Sequence, residues 1–482
     1  MSQQASSQNH AALGEEPTEL RRVMGPKLLL LFIVGDILGT GVYALTGQVA
    51  SEVGGAAWVP FIVAFLIALV TAFSYLELVT KYPQAAGAAL YTHKAFGVHL
   101  FTFMVCFAVM CSGITSASTA SRAFASNLAV GFGLDETNAT LIITVALIFM
   151  ALVAAINLRG VSESVRANIL LTLVELSGLL LVILVGFWAA FAGNADFSRT
   201  VVFDSPDDKS AFFAVTAATS LAFFAMVGFE DSVNMAEETH DPVRNFPRMM
   251  ITGIGITGVI YVLVAIISVA IVPVGELGAT DTPLVTVVET ALPGFPAGDV
   301  LPFISMFAVA NSALINMLMA SRLLYGMAKQ NVLPSFLGKV GARRRTPWAA
   351  IVVTTVISFG LIYYVSIDPE NDVVAALGGT TALLLLGVFA IVNVCVLVLR
   401  RDRIDRTHFR APTVLPIIGA LACAFFVGPW TGRDPIQYQI AGWLLAIGLF
   451  LWVLTFITNR LLGQPTRITD EQAIHEPEGG VN

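Results

Sequence analysis

The sequence predicts an all-α membrane protein, and three features of the chain support that fold class. Among the 482 residues, 56% are hydrophobic and only 12% are charged, with a mean hydropathy of +0.80. Twelve apolar runs are long enough to cross the hydrocarbon core of a bilayer, which takes about 20 helical residues each. Two of these runs are interrupted by glycines, at residues 35–41 and 224–230. Because a broken helix is costly in lipid unless its freed backbone lines a cavity, the breaks predict a binding site at the membrane midplane.

The candidate spans begin after a polar segment, residues 1–26, which is the predicted cytoplasmic N-terminal tail. This segment lacks the apolar core and the small-residue cleavage site of a signal peptide, so we expect the first span to be retained. The spans start near Lys27, Ala57, Val98, Thr140, Asn168, Ala211, Met249, Val300, Pro347, Asp372, Pro412 and Ile436. Residues 461–482 are the predicted cytoplasmic C-terminal tail.

The first ten spans divide into two blocks of five that predict an inverted repeat. Residues 27–192 hold spans one to five, and residues 210–400 hold spans six to ten. An odd number of crossings inverts the second block, and each block begins with an interrupted span, as this arrangement requires. Residues 412–460 then form spans eleven and twelve, which we expect to be peripheral.

Two connections between the spans have features of their own. Residues 81–97 are too polar to cross the membrane and predict a helix at its cytoplasmic surface. Residues 273–299 contain the apolar run 284–292, which fits either a short helix over the outer vestibule or an ordinary loop.

The positions of the basic residues predict the topology. When alternate loops are assigned to opposite sides, only Arg122, Arg199, Lys209 and Arg433 fall opposite the N-terminus, which leaves 22 of the 26 Lys and Arg residues on the N-terminal side. Because cytoplasmic loops carry the excess of positive charge, both termini are predicted to be cytoplasmic. We therefore expect a multi-pass protein of the cytoplasmic membrane, with the lipid bilayer as its surroundings.

Composition argues against several other classes of protein. The net charge of −7 reflects acidic tails and loops, and no basic patch indicates a nucleic-acid partner. The four cysteines lie in apolar runs without metal-ligand spacing, and the six histidines lie in tails, loops or span edges. We predict no metal, no cofactor and no catalytic residue, and therefore no enzyme, although buried carboxylates can in principle perform acid–base chemistry.

The two breaks have complementary chemistry. At Gly39-Thr40-Gly41 a ligand can reach backbone N–H groups, and the positive end of the following half-helix favours an anion such as an α-carboxylate. The alternative is that these glycines serve only close helix packing. At residues 224–229 the opening frees carbonyl oxygens for an ammonium group, and Phe224 is large enough either to cover a small ligand or to serve as an ordinary core residue.

Three carboxylates lie inside the spans. At 1.5 Å per residue, Asp36, Glu175 and Glu230 lie roughly 13, 13 and 11 Å from the inner edge of the membrane, so they share one depth. An ionised carboxylate is disfavoured in a low-dielectric bundle, which makes these residues candidates for proton binding or charge sensing. Alternatively, they cap the broken backbone or pair with a distant arginine such as Arg322.

Together these residues resemble the amino acid-polyamine-organocation transporter superfamily, over spans one to ten. The form Gly-Val-Tyr at residues 41–43, with the segment 45–50 that follows it, is most similar to the cationic amino acid transporter branch. The motifs that carry the resemblance are residues 39–43 with Gly47; Glu77, Tyr82-Pro83 and Gly87; residues 159–161; residues 224–230, 237–239 and 241–242; Phe246-Pro247; and residues 321–328 with Leu333-Pro334.

The resemblance implies the leucine-transporter fold with helices 1 and 6 broken, and sodium-independent transport of amino acids by alternating access. It implies that the substrate carboxylate meets the amides of Gly39, Thr40 and Gly41, and that the Phe224 ring acts as a gate. It also implies that the substrate ammonium meets the carbonyls of Ile37, Phe224, Ala225 and Val227.

Two positions depart from the family pattern. Glu175 falls where many sodium-independent members have a lysine, so Glu175, Glu230 and Asp36 are the candidates for proton coupling. Cys111 falls where the cationic branch has a glutamate, so the choice between cationic and neutral substrates stays open. Further candidate pocket residues are Ser112, Asn316 and Thr380.

The function predicted from these observations is an amino acid permease that works by proton symport or by exchange. Two alternative functions also stay open, a polyamine or amine exchanger and a transport-inactive nutrient sensor. The sequence does not predict the oligomeric state.

Overall fold

A computed structural model describes residues 24–84, 87–135, 137–159, 164–206, 209–236, 238–329, 333–341, 346–366, 372–402, 404 and 407–461. The described chain is helical, with two isolated bridges, Met24–Thr239 and Gly54–Phe203, as its strand-like pairings. Nearly all of both predicted tails, and Gly160, Val161 and Glu237 of the family motifs, lie outside the described residues.

The helices are α1 Pro26–Ile37, α2 Thr40–Val53, α3 Trp58–Lys81, α4 Gly87–Phe96, α5 His99–Gly131, α6 Ala139–Arg159, α7 Ser164–Phe191, α8 Ala211–Ala225, α9 Pro242–Ile271, α10 Val274–Leu277, α11 Pro283–Ala291, α12 Ala297–Lys329, α13 Trp348–Ser366, α14 Val373–Leu399, α15 Val414–Val427 and α16 Pro435–Leu461.

Ten helices of the described chain are long and apolar enough to cross a membrane. One of the ten is α1 and α2 taken together, Pro26–Val53. The sixth and eleventh predicted spans correspond to α8 and α15, which have 15 and 14 residues and fall short of the about 20 residues that cross a bilayer. The described residues are thus all-helical with ten candidate membrane spans, and the twelve-span inverted repeat stays a prediction.

Both predicted interruptions occur as breaks in helical structure. α1 ends at Ile37 and α2 begins at Thr40, while α8 ends at Ala225 and is followed by turns and a 3₁₀ helix, Asp231–Met235. Gly228 has a φ of 125°, a conformation that favours glycine. A Cβ atom at Gly228 would lie 2.5 Å from the carbonyl oxygen of Asp36, so the two breaks are in direct contact.

Contacts at the helix termini define two ends of the bundle. At the first, called the Met24 end, the Met24 N–H donates to the Glu238 carbonyl at 3.0 Å, and Arg400 forms a bidentate ion pair with Glu77. At the other, called the Asp281 end, Arg122 pairs with Asp281 at 3.1 Å. Lys209 pairs with Glu52 at this second end too, at 2.8 Å.

The central helices surround the two breaks. α2 packs against α8, and both contact α14, while α5 packs along α12 and α14. α1 packs against α7 and α9. The connection 81–97 contains the predicted short helix, α4, and the connection 273–299 contains two short helices, α10 and α11, rather than an ordinary loop.

Candidate functional site

Two adjoining cavities lie where the two breaks meet. Cavity 1 is lined by the first break at Asp36, Ile37 and residues 39–41, by Phe224, Val227, Gly228 and Asp231 of the second, and by three polar residues of α5 and α12, namely Ser116, Ser312 and Asn316. Cavity 2 is lined by the second break together with α5, α12 and α14. The cavities share Val227, Asp231 and Asn316, so these three residues mark their junction.

The cavities are stacked along the helices that line them. α12 and α14 run towards the Met24 end, where the Arg400 side chain pairs with Glu77. On α12, Ser312 lines cavity 1 and Leu323 lines cavity 2, and this separation of eleven positions corresponds to roughly 16 Å along a helix. Cavity 2 therefore extends from cavity 1 towards the Met24 end.

Both cavities are narrow. Cavity 1 and cavity 2 each have a volume of about 20 Å³. Such a space holds about one water molecule. A ligand larger than a water molecule can therefore enter only when the surrounding side chains and helices move apart.

The Gly39-Thr40-Gly41 segment both packs and lines cavity 1. A Cβ atom at Gly41 would overlap the backbone of Ala225, so the missing side chain lets α2 approach α8. The Thr40 side chain is 3% exposed, and its hydroxyl has no hydrogen-bond partner among the described residues. Buried hydroxyl groups are normally hydrogen-bonded. The Thr40 hydroxyl is thus a polar group that a ligand in cavity 1 would satisfy.

Two of the four carbonyls predicted to bind an ammonium already accept a hydrogen bond from the protein. The Tyr261 hydroxyl on α9 donates to the Ile37 carbonyl at 2.6 Å, and the Val227 N–H donates to the Phe224 carbonyl at 3.3 Å. Ala225 is packed against Gly41 and lines neither cavity, whereas Val227 lines both. Each of the two engaged carbonyls keeps a second lone pair, because a carbonyl oxygen can accept two hydrogen bonds.

Phe224 lies between cavity 1 and α14. The residue is 5% exposed and lines cavity 1. A Cβ atom at Gly378 of α14 would lie 3.3 Å from the Phe224 ring, so the ring packs directly on that glycine. This position fits both predicted roles, a cover over a ligand and a core residue.

The three predicted carboxylates have different surroundings. Asp36 lines cavity 1, and its Oδ2 atom has no hydrogen-bond partner within the described chain. Glu230 lines cavity 2, and its Oε2 atom accepts from the Gly228 N–H at 2.9 Å, so it satisfies one N–H group of the broken backbone. Glu175 is fully buried, lines neither cavity, and has two carboxylate oxygens without a partner in the part of the chain that the structure describes. Arg322 is exposed, and no ion pair joins it to these carboxylates in the described ranges.

A fourth carboxylate, Asp231, was missed by the sequence analysis although it lines both cavities. Asp36 lies within electrostatic range of Asp231, Glu230 and Glu175. Asp231 directly follows the predicted break at residues 224–230. The signal that could have found it is the break itself, since successive residues outside a regular helix can both face one cavity.

Of the remaining candidate pocket residues, two line a cavity and two do not. Ser112 lines cavity 2 and Asn316 lines both cavities. Cys111 is 1% exposed and lines neither cavity, and Thr380 also lines neither, whereas its neighbour Thr381 lines cavity 2. Among the described residues, no group of three or more His, Cys, Asp or Glu side chains could hold a metal ion.

Comparison with known proteins gives a match along nearly the whole chain. The family model described as amino acid permease matches residues 26–459. A branched-chain amino acid permease of Bacillus subtilis is 25% identical over 462 residues, covering 92% of this chain and 93% of the relative. The methylthioribose transporter of the same organism is 26% identical over 471 residues, with 92% and 95% covered. The vacuolar cationic amino acid transporter 4 of Arabidopsis thaliana is 27% identical over 472 residues, with 91% and 76% covered.

Proposed function

The chain belongs to the amino acid permease family of the amino acid-polyamine-organocation superfamily, and we propose that it is a secondary active transporter that moves amino acids across the cytoplasmic membrane by alternating access. We further propose that transport is independent of sodium and proceeds by proton symport or exchange. In this proposal the Met24 end faces the cytoplasm and both termini are cytoplasmic.

The observation that carries the proposal is the meeting of the two breaks at cavity 1. The backbone at the start of α2 offers N–H groups and the positive end of a 14-residue helix, which favour a carboxylate. The same cavity contains the carboxyl groups of Asp36 and Asp231, which favour a cation. A zwitterionic amino acid has both groups within one small molecule.

The stacked cavities support an access route. Phe224 lies where cavity 1 meets Gly378, and cavity 2 continues from cavity 1 towards the Met24 end. We propose that Phe224 separates the bound substrate from the Asp281 end, and that parting of α5, α12 and α14 around cavity 2 releases the substrate to the cytoplasm.

A second candidate, an amine or polyamine exchanger, is favoured by the charge of the cavities. Asp36, Glu230 and Asp231 line them, and none of the lining residues in the described chain is Lys, Arg or His. A ligand without a carboxylate would leave the α2 amides unused, so the need for a carboxylate separates the two candidates.

The experiment that tests the proposal is uptake into liposomes by the purified protein. Labelled branched-chain and cationic amino acids are offered with and without an imposed pH gradient, and the decarboxylated amine of each is used as a competitor. We expect saturable uptake of at least one amino acid and competition by its amine that is at least about tenfold weaker, the effect of losing a charged hydrogen bond. Equal transport of the amine would favour the exchanger, and binding without transport would favour a sensor.

The Thr40 hydroxyl allows a matched test of the binding site. Thr40→Val keeps the side-chain shape, removes the unpartnered hydroxyl in cavity 1, and should raise the KM for the amino acid by about tenfold. Thr219→Val is the control, because the Thr219 hydroxyl on α8 is also buried and unpartnered within the described residues but lines neither cavity. Equal KM values for the two variants would argue against substrate binding at Thr40.

A further inference from the structure

Asp231 is the acidic residue that lines both cavities. It begins the 3₁₀ helix that follows the second break, and it lines both cavities at their junction with Val227 and Asn316. In the described chain, no side chain or backbone N–H donates a hydrogen bond to its carboxylate. The residue is half-buried.

Neighbouring acceptors are already engaged by the protein. The Ile37 carbonyl accepts from Tyr261, and the Phe224 carbonyl accepts from Val227. The Glu230 carboxylate accepts from the Gly228 N–H and so stabilises the break. Asp231 differs from these groups because it lines the junction and its carboxylate has no such bond in the described chain.

The surroundings of the Asp231 carboxylate favour a positively charged ligand. An unpaired carboxylate in a low-dielectric cavity carries a large desolvation cost, which an ion pair with a ligand offsets. The lining residues of cavities 1 and 2, as far as the structure describes them, contain acidic side chains but no Lys, Arg or His. The Thr40 hydroxyl, which is buried and unpartnered in cavity 1, independently indicates that the space receives a polar ligand.

We propose that Asp231 binds a primary ammonium group of the substrate through a direct ion pair, at the junction where cavities 1 and 2 meet beside Val227 and Asn316. The proposal rests on the proposed function, because it takes the substrate carboxylate to lie at Gly39-Thr40-Gly41. The ammonium has two possible sources. It is either the α-ammonium of any amino acid, or the side-chain ammonium of a lysine-like substrate that extends into cavity 2.

The test measures binding of three probes to purified full-length protein by competition against a labelled amino acid that the protein transports. The probes are L-leucine, L-lysine and 2-hydroxy-4-methylpentanoate, which keeps the carboxylate and side chain of leucine but has a hydroxyl in place of the ammonium. The variants are Asp231→Asn, which keeps the shape, and Asp231→Glu, which keeps the charge. The control is Asp299→Asn, which removes an exposed carboxylate from the first turn of α12.

Asp231→Asn should weaken binding of the ammonium-bearing probe at least tenfold and change binding of the hydroxy acid less than twofold. If Asp231→Asn loses affinity for both leucine and lysine, the α-ammonium is the partner of Asp231. If it loses affinity for lysine alone, the partner is the side-chain ammonium. Asp231→Glu should recover part of the affinity, and Asp299→Asn should behave as the wild type. Folding of each variant is checked by its thermal unfolding.

Two results would overturn the assignment of Asp231. One is an Asp231→Asn variant that binds leucine and lysine within twofold of the wild-type affinity, and the other is an equal loss for leucine and for the hydroxy acid. Failure of the wild-type protein to bind or transport any amino acid would instead overturn the proposed function, so the two failures are distinguishable.

Discussion

Gly41 shows that packing and ligand binding are combined at single residues of this site. The sequence left these two roles as alternatives for the Gly39-Thr40-Gly41 segment. In the structure, Gly41 lines cavity 1, and a side chain there would overlap the Ala225 backbone. A Gly41→Val variant would therefore disturb the α2–α8 contact before it could report on carboxylate binding, which is why the Thr40 hydroxyl is the better position for that test.

The Phe224 ring provides a prediction about gating. Phe224→Ala removes the aromatic cover of cavity 1 and should raise the apparent KM for substrate at least tenfold or uncouple exchange from net uptake. Phe224→Tyr and Phe224→Trp should be tolerated better because an aromatic face also holds an ammonium, although Trp must fit beside Gly378. The measurement is uptake and counterflow in liposomes.

Phe223→Ala is the matched control for the gate. Phe223 is the preceding residue of α8, is 1% exposed, and packs against Phe389 instead of lining a cavity. Its truncation should cost stability, about 3–5 kcal/mol for a core phenylalanine, without changing the KM. If Phe224→Ala and Phe224→Trp have the same KM, Phe224 is not the gate.

The carboxylates show how far the sequence could predict the site. Asp36 and Glu230 were predicted near the breaks and do line the cavities. Asp231 was missed because an irregular backbone does not follow the helical period by which facing residues are inferred. Glu175 has the predicted burial but lies outside both cavities, since depth along a span does not determine the direction in which a side chain points.

The helix breaks could be located from sequence because glycines interrupt apolar runs at residues 35–41 and 224–230. Their mutual contact could not, because it depends on packing between segments far apart in the chain. The lengths of α8 and α15 could not be predicted from the sequence either. An apolar run does not show where helical geometry stops, and α8 stops before Gly228 while α15 stops before Gly428.

Gly228→Ala tests the contact between the two breaks. A Cβ atom at Gly228 would lie 2.5 Å from the Asp36 carbonyl oxygen, and the φ of 125° is itself unfavourable for alanine. The control is Gly133→Ala in the α5–α6 connection, where φ is 63° but nothing lies within 4 Å, so only backbone strain of about 1–2 kcal/mol is expected. Gly228→Ala should lower the unfolding temperature by more than the control and abolish transport. Equal decreases in the unfolding temperature of the two variants would contradict a tight contact between the breaks.

On the scale of the whole molecule, charged contacts are gathered at the two ends of the bundle. Glu77 and Arg400 join α3 to α14 at the Met24 end, and Arg122 joins α5 to the α10–α11 connection at the Asp281 end. This grouping agrees with the assignment of alternate loops to opposite sides in the sequence analysis. Each ion pair connects two elements that are far apart in the chain.

Glu175 lies where several helices of the bundle meet. It is in α7, which packs against α1, α9 and α12, and its backbone carbonyl accepts from the Tyr43 hydroxyl of α2 at 2.8 Å. Its buried carboxylate also interacts electrostatically with Tyr43, Tyr261 and Asp36. An ionised carboxylate without a partner is costly in these surroundings, so proton uptake would neutralise Glu175 and ease the relative movement of the helices.

A Glu175→Gln variant mimics the protonated carboxyl at every pH. In the wild type, proton binding occurs as pH falls, so an inward proton gradient should drive net uptake. The variant should retain counterflow exchange, because its neutral side chain permits the helices to move, but its net uptake should no longer respond to the imposed gradient. Glu276→Gln, which neutralises an exposed carboxylate on α10, should keep the response. If Glu175→Gln retains the wild-type pH dependence, Glu175 is not the coupling residue, and Glu230 and Asp36 are the next candidates.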